Sequence, residues 1–114
     1  MAATDRLSVV FSALADPTRR DILTRLSTGP VTVGTLAANY TISRPAISQH
    51  LGVLESAGLV ARTVNAQWRE VTLKDDGLDD ASEWIAKQRA HWTENFDLLE
   101  ERLRERRTTK GSES

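Results

Sequence analysis

TISRPAISQHLGVLESAGLV, residues 41–60, is a helical pattern almost without charge. At roughly 100° per residue, Ile47, His50, Leu51, Leu54 and Ala57 fall on one face, with Pro45, Ser48, Gln49, Gly52 and Ser56 on the other. Ser43 can cap the helix. Pro45 then lies in the first turn, where backbone N–H groups have no intrahelical partner, so proline does not interrupt it, and Gly58 ends it. The first face is suited to a core. The second offers small and hydrogen-bonding side chains and a single charge, Arg44, at its N-terminal shoulder. A merely solvated face would carry more Lys and Glu. This one fits a DNA major groove, where Gln reads adenine, Ser either base type and Arg guanine, each good pair discriminating by about 1–3 kcal/mol.

The flanking sequence supplies partners for the apolar face. Upstream, Leu7, Val10, Phe11 and Leu14 follow the i, i+3, i+4, i+7 spacing of an amphipathic helix. ADPTRRDILTRLSTGP then predicts a second, with Asp16 as cap, Pro17 at the first helical position, Ile22, Leu23 and Leu26 as its stripe, and Gly29-Pro30 as its stop. Thr32 can cap a short third helix around Leu36 and Ala37 that ends near Tyr40. After Gly58 the period becomes alternating. LVARTVNAQWREVTL reads as two strands joined at Asn65-Ala66, a tight hairpin whose second turn position favours glycine. From about Leu78, a last helix carries Ala81, Ile85, Gln88, Trp92, Phe96, Leu99 and Leu103 at spacings of four, three, four, four, three and four. About 25 residues of helix span roughly 38 Å, more than so small a domain needs, so part of the stripe is expected to pair with a second subunit.

The predicted fold class is therefore mainly α with a small β-hairpin, a winged helix-turn-helix with a long C-terminal dimerisation helix. The 114 residues, 39% hydrophobic and 27% charged, suit one compact domain over 1–106, with the polar stretch 107–114 as a disordered tail. The N-terminal MAATDRLSVVF resembles neither a secretory signal nor a membrane span, and with no cysteine a cytoplasmic location is expected. A net charge of −1 says little about partners, but its distribution says more. Up to Arg69 there are seven basic and four acidic residues, from Glu70 eight and twelve, and no carboxylate lies between Asp21 and Glu55. A surface that approaches phosphates needs such a gap.

ALADPTRRDIL, VGTLA, SRPAISQHLGVLESAGLV and QWREVTL together resemble the ArsR/SmtB-type winged helix-turn-helix repressors of bacteria, from about Leu7 to Leu73. The tail ASEWIAKQRAHWTENFDLLEERL is similar to a metal-independent branch of that family. The resemblance implies a homodimer that binds a near-palindromic operator, often in its own promoter, and releases it on binding an inducer or metal. It implies that 33–39 position the domain, that the Ser43 to Ser56 helix reads the DNA, and that the hairpin is a wing over the backbone or minor groove. The candidate DNA-binding residues are Thr32, Ser43, Arg44, Pro45, Ser48, Gln49, Arg62, Asn65, Gln67 and Arg69. Those of the dimer interface are Leu7, Val10, Phe11, Leu14, Ile85, Trp92, Phe96, Leu99 and Leu103. The chain departs from the family pattern at Ala66, where glycine is favoured, and at Gln67, which is often arginine.

No metal site and no cofactor are expected. The family's Cys-x-Cys positions correspond here to Thr32 and Gly34, and its Asp-x-His and His-x-x-Glu pairs to Leu78 and Asp80, and to His91 and Glu94, which leaves too few ligands for zinc. Nor is an enzyme expected: His50 and His91 lie in different elements, and no phosphate loop or nucleophile elbow is present. His50 is placed at the core edge, and Arg19 and Arg20 are open to a bracing role. Two other readings stay open, a sensor of the same fold that answers a small-molecule inducer and a winged-helix protein-interaction or dimerisation module without DNA binding.

Overall fold

The computed structural model describes residues 5–113, the side chains of Asn65 and of 108–113 excepted. The elements follow as α1 (Arg6–Leu14), α2 (Pro17–Leu26), β1 (Val31–Thr32), α3 (Val33–Ala38), α4 (Arg44–Ser56), β2 (Val60–Asn65), β3 (Trp68–Leu73) and α5 (Asp79–Glu113). The chain divides into two compact units, Met1–Ala81 and Ser82–Ser114. Ala81 is the last buried residue among those described.

Each of the first four helices starts on a side-chain cap. Asp5 accepts from the Ser8 N–H at 2.8 Å, Asp16 from Arg19 at 3.0 Å, Thr32 from Thr35 at 3.2 Å and Ser43 from Ala46 at 3.3 Å. The backbone donors hold the Asp5 and Asp16 carboxyls below the usual carboxylate range. The C-terminus of α4 closes with paired bonds from Leu59 N–H to Leu54 O and from Gly58 N–H to Glu55 O, both 3.0 Å, and Gly58 takes the left-handed φ of +75° that this ending requires. The last carbonyls of α1 are satisfied by α2: Arg19 donates to Ala13 O at 2.8 Å and to Ser12 O at 3.1 Å, and Arg20 to Leu14 O at 2.7 Å. Cations at a helix C-terminus also favour its dipole.

Ile22, Leu26, Leu36, Ile47, Leu51 and Leu54 are enclosed in one core, joined by Val60 and Val71 from the sheet. A second link fixes the chain between α3 and α4 onto α2. Tyr40 donates its hydroxyl to Asp21 at 2.5 Å, Arg25 donates to the same carboxylate at 2.8 Å, and the Arg25 guanidinium lies 5.4 Å from the Tyr40 ring centre. Burial, with the Asp21 carboxylate beside it, pushes the Tyr40 hydroxyl up to about 12.

Three features differ from the sequence reading. The hairpin turn is Ala66-Gln67 rather than Asn65-Ala66, because Asn65 still pairs with Trp68 across the strands. Ala66 carries the left-handed φ of +56° at the first central position. Thr32 is both a helix cap and the end of the two-residue strand β1, which pairs antiparallel with β3 to give the order β1-β3-β2. Lastly, α5 is continuous through 107–113, where a disordered tail was expected, and Ser114 lies outside the described residues. The i,i+4 ion pairs Glu83–Lys87 and Glu100–Arg104 support the body of α5 ahead of that stretch.

Candidate nucleic-acid interface

The face of α4 formed by Ile47, Leu51, Leu54 and Ala57 is buried, and Pro45, Ser48, Gln49 and Ser56 are exposed on the opposite side. His50 sits between the two. Its Nδ1 lies 3.3 Å from Arg19 Nη1 and 3.9 Å from the Asp16 carboxylate, so it joins α4 to the α1–α2 corner rather than facing outward.

The N-termini of α3 and α4 face the wing across a groove of about 520 Å3, lined by Thr32, Val33, Gly34, Arg44, Pro45, Ser48, Gln67, Trp68 and Arg69. Six of the ten candidate DNA-binding residues therefore meet in one place: Thr32, Arg44, Pro45, Ser48, Gln67 and Arg69. Among the described residues no carboxylate lines the groove. Arg44 and Arg69 are both exposed, and neither has a hydrogen-bond or ion-pair partner among the described residues. Two unpaired cations in a carboxylate-free concavity attract phosphate.

The other four candidates are disposed differently. Ser43 is exposed, and its hydroxyl is engaged as the α4 cap. Gln49 lies on the outward face of α4 but borders another groove, of about 500 Å3, with Val9, Ser12, Gly52, Val53 and Ser56. Arg62 is held against α4, donating to Glu55 at 3.2 Å and reaching the Ser48 hydroxyl at 3.5 Å. It is a brace between wing and helix, and its charge is already shared with a carboxylate. The Asn65 side chain lies outside the described residues.

The sequence reading missed Val33, Gly34 and Trp68 in this groove. Gly34 leaves space that Arg44 uses, since a Cβ on it would stand 2.9 Å from Arg44 Nη2. Trp68 follows from the cross-strand register, which a turn placed one residue too early obscured.

Among the interface candidates, Val10 needs correction. It is 1% exposed and belongs to the core of its own chain. Leu7, Phe11 and Leu14 are half-buried against that core, whereas Ile85, Trp92, Phe96, Leu99 and Leu103 are exposed on α5. The Thr32 hydroxyl is already bonded to Thr35, at 2.8 Å to its hydroxyl, and Gly34 has no ligand atom. His91 and Glu94 are exposed, and among the described residues no three His, Cys, Asp or Glu gather into a ligand set.

A family model described as a helix-turn-helix domain matches residues 14–63. The chain is similar to the transcriptional repressor SdpR of Bacillus subtilis, 38% identical over 76 residues that cover 67% of this chain and 84% of that protein. It is also similar to the HTH-type transcriptional regulator Rv2034 of Mycobacterium tuberculosis, 48% identical over 68 residues, 60% of this chain and 64% of that one. A crystal structure of an ArsR family transcriptional regulator superposes with a TM-score of 0.73 at 34% identity, over 78% of this chain and 98% of that one. An ArsR-like regulator from Rhodococcus sp. RHA1 gives 0.76 at 28% identity, over 84% and 88%.

A capped helix-turn-helix, an outward polar face on its second helix and a basic groove beside a β-wing define a winged helix-turn-helix regulator of transcription that binds DNA. The agreement extends beyond the general fold. The chain belongs to the ArsR/SmtB-type family of such regulators.

Proposed function

We propose that this protein is a homodimeric repressor, in the cytoplasm, of a near-palindromic operator, and that it acts without a metal. The carrying observation is the groove between α4 and the wing, where Arg44 and Arg69 stand unpaired among the described residues with no carboxylate in the lining. In this reading α4 enters the major groove. Ser48 and Gln49 meet base edges, Arg44 takes a base or a phosphate, Pro45 packs beside them, and Thr32 and Ser43 contact backbone close to their caps. The wing lies over the flanking backbone, with Gln67 and Arg69 toward the duplex, Asn65 at its end and Arg62 bracing its base.

The dimer reading rests on α5. From Ala81 to Leu103 its stripe, apolar at every position but Gln88, repeats as four-three-four, twice over. Such an 11-residue repeat drifts by only about 20° on a straight helix, so the stripe stays on one face along its whole length. Ile85, Trp92, Phe96, Leu99 and Leu103 on that face are all exposed, and a run of large exposed apolar side chains marks an interaction surface. A second copy, with Leu7, Phe11 and Leu14 at the margin, would cover it. Two α4 helices related by a twofold axis would then reach half-sites about 34 Å apart.

The reading is tested by titrating the protein with a duplex that carries the inverted repeat upstream of its own gene, against a scrambled duplex, at several salt concentrations. The expected result is a preference for the repeat and a linear fall of log K with log salt. Equal binding to both duplexes with no salt slope contradicts it. An inducer is a separate matter, and the same titration repeated with cell metabolite fractions would find one by loss of binding.

A further inference from the structure

Among the described residues Trp68 is the one aromatic side chain lining the groove between α4 and the wing. Its side chain is 63% exposed, and unlike Val60 and Val71 of the same sheet it has no part in the core. The register explains its position. Trp68 pairs with Asn65 to close the hairpin and so stands directly after the Ala66-Gln67 turn. Beside it Val64 is 72% exposed. From Val64 to Trp68 the wing end carries no charge, and Arg69 is the nearest cation. An end of this composition cannot act as a phosphate clamp. What it presents is apolar surface with two uncharged polar groups, the Gln67 amide and the indole N–H.

Duplex DNA is the occupant that fits this surface. The ring is continuous with a groove that holds two unpaired arginines among the described residues, and no acidic side chain lines it. Glu70, two residues on, pairs through its backbone with Thr32 and Thr63 and is not among the residues that line the groove. A flat indole packs on deoxyribose and base edges along a minor-groove wall, where nucleic-acid-binding proteins use apolar side chains as wedges, and its N–H can donate to a phosphate or a groove acceptor. None of these contacts releases a counterion.

We infer that Trp68 makes a direct, salt-insensitive contact with the sugar–phosphate wall of the operator and so positions the wing where the family pattern uses charge. The inference rests on the reading of the groove as a DNA interface. It assigns affinity to the helix side of the groove through ion pairs and to the wing side through packing.

The test uses the full chain labelled with fluorotryptophan, titrated with the duplex carrying the upstream inverted repeat and observed by fluorine NMR. The chain has three tryptophans, so three resonances are expected, and the one lost in Trp68→Phe is assigned to Trp68. That resonance should move as DNA is added and stop moving at saturation. In parallel, Trp68→Ala should weaken binding about tenfold, the effect of deleting one stacked aromatic from a nucleic-acid interface. The slope of log K against log salt should stay unchanged, Trp68→Phe should restore most of the affinity, and the melting temperature should not move. A Trp68 resonance indifferent to DNA, or unaltered affinity in Trp68→Ala, overturns the inference while the groove reading stands. A changed oligomer mass in Trp68→Ala also overturns it, because the ring would then belong to a protein interface. Should the wild-type protein show no preference for the repeat, the groove reading itself falls.

Discussion

Leu51 and Leu99 are the same side chain in the same kind of secondary structure, yet Leu51 is 0% exposed and Leu99 53%. The first lies in the unit that ends at Ala81, where every helix presents its stripe to a shared core. The second lies in the unit from Ser82, where the stripe on α5 stays open to water. One unit satisfies its own hydrophobic pattern, and the other carries a pattern that a single chain leaves unsatisfied. Apolar periodicity therefore reports that a face is buried in the working molecule without saying by what.

Substitutions in the two units should separate stability from assembly. Leu51→Ala is expected to have the largest effect, a loss of about 2–5 kcal/mol in denaturant unfolding, because its cavity would open in an enclosed core. Phe96→Ser with Leu99→Ser should leave the fold of the first unit intact by circular dichroism and convert the protein to monomer in sedimentation equilibrium. Each exposed apolar side chain that a partner covers is worth about 1.5–3 kcal/mol. A dimer that survives both changes would mean that the α5 stripe is covered by something else.

Within the first unit the contrast moves to the two faces of α4. Arg44→Ala with Gln49→Ala should remove preference for the operator while leaving dimer mass and melting temperature unchanged, and should lower the salt slope by about one. Gly34→Ala should give a smaller change of the same kind, because the added Cβ displaces the Arg44 guanidinium. The weakest expected effect concerns pH. Tyr40 is the chain's only tyrosine, so its ionisation can be followed by ultraviolet titration. Its folded value of about 12 lies above the ordinary 10.0, so the stability it contributes is complete below pH 10 and declines as the pH rises from there toward 12. Asp16 and Asp21 are shifted down, so their contribution is present above the ordinary 3.8 and is lost as the pH falls below it. Tyr40→Phe should remove the alkaline component and weaken the acid component at Asp21, whose carboxyl is held down first of all by the Tyr40 hydrogen bond.

Much of this molecule was legible in its sequence because the signals are local. Asp16-Pro17, Thr32, Ser43 and Gly58 announce helix ends by chemistry that acts within a few residues, and the two faces of α4 follow from period alone. The same locality explains six groove residues. What escaped depends on partners distant in the chain. The strand β1 exists only because β3 pairs with it, Trp68 reaches the groove through its register with Asn65, and Val10 is sealed by packing that a helical stripe does not reveal. The charge of Arg62 is visible in the sequence, whereas its Glu55 partner, on another element, is visible only in the structure.

Hydroxyl-radical footprinting of the wild-type protein on the DNA upstream of its gene addresses the proposed pairing of two outward α4 faces. The expected result is two protected patches related by a twofold axis, with centres about 10–10.5 base pairs apart or a multiple of that, both lost in Arg44→Ala with Gln49→Ala. One patch without a symmetry mate, or protection that survives the double substitution, would contradict the account.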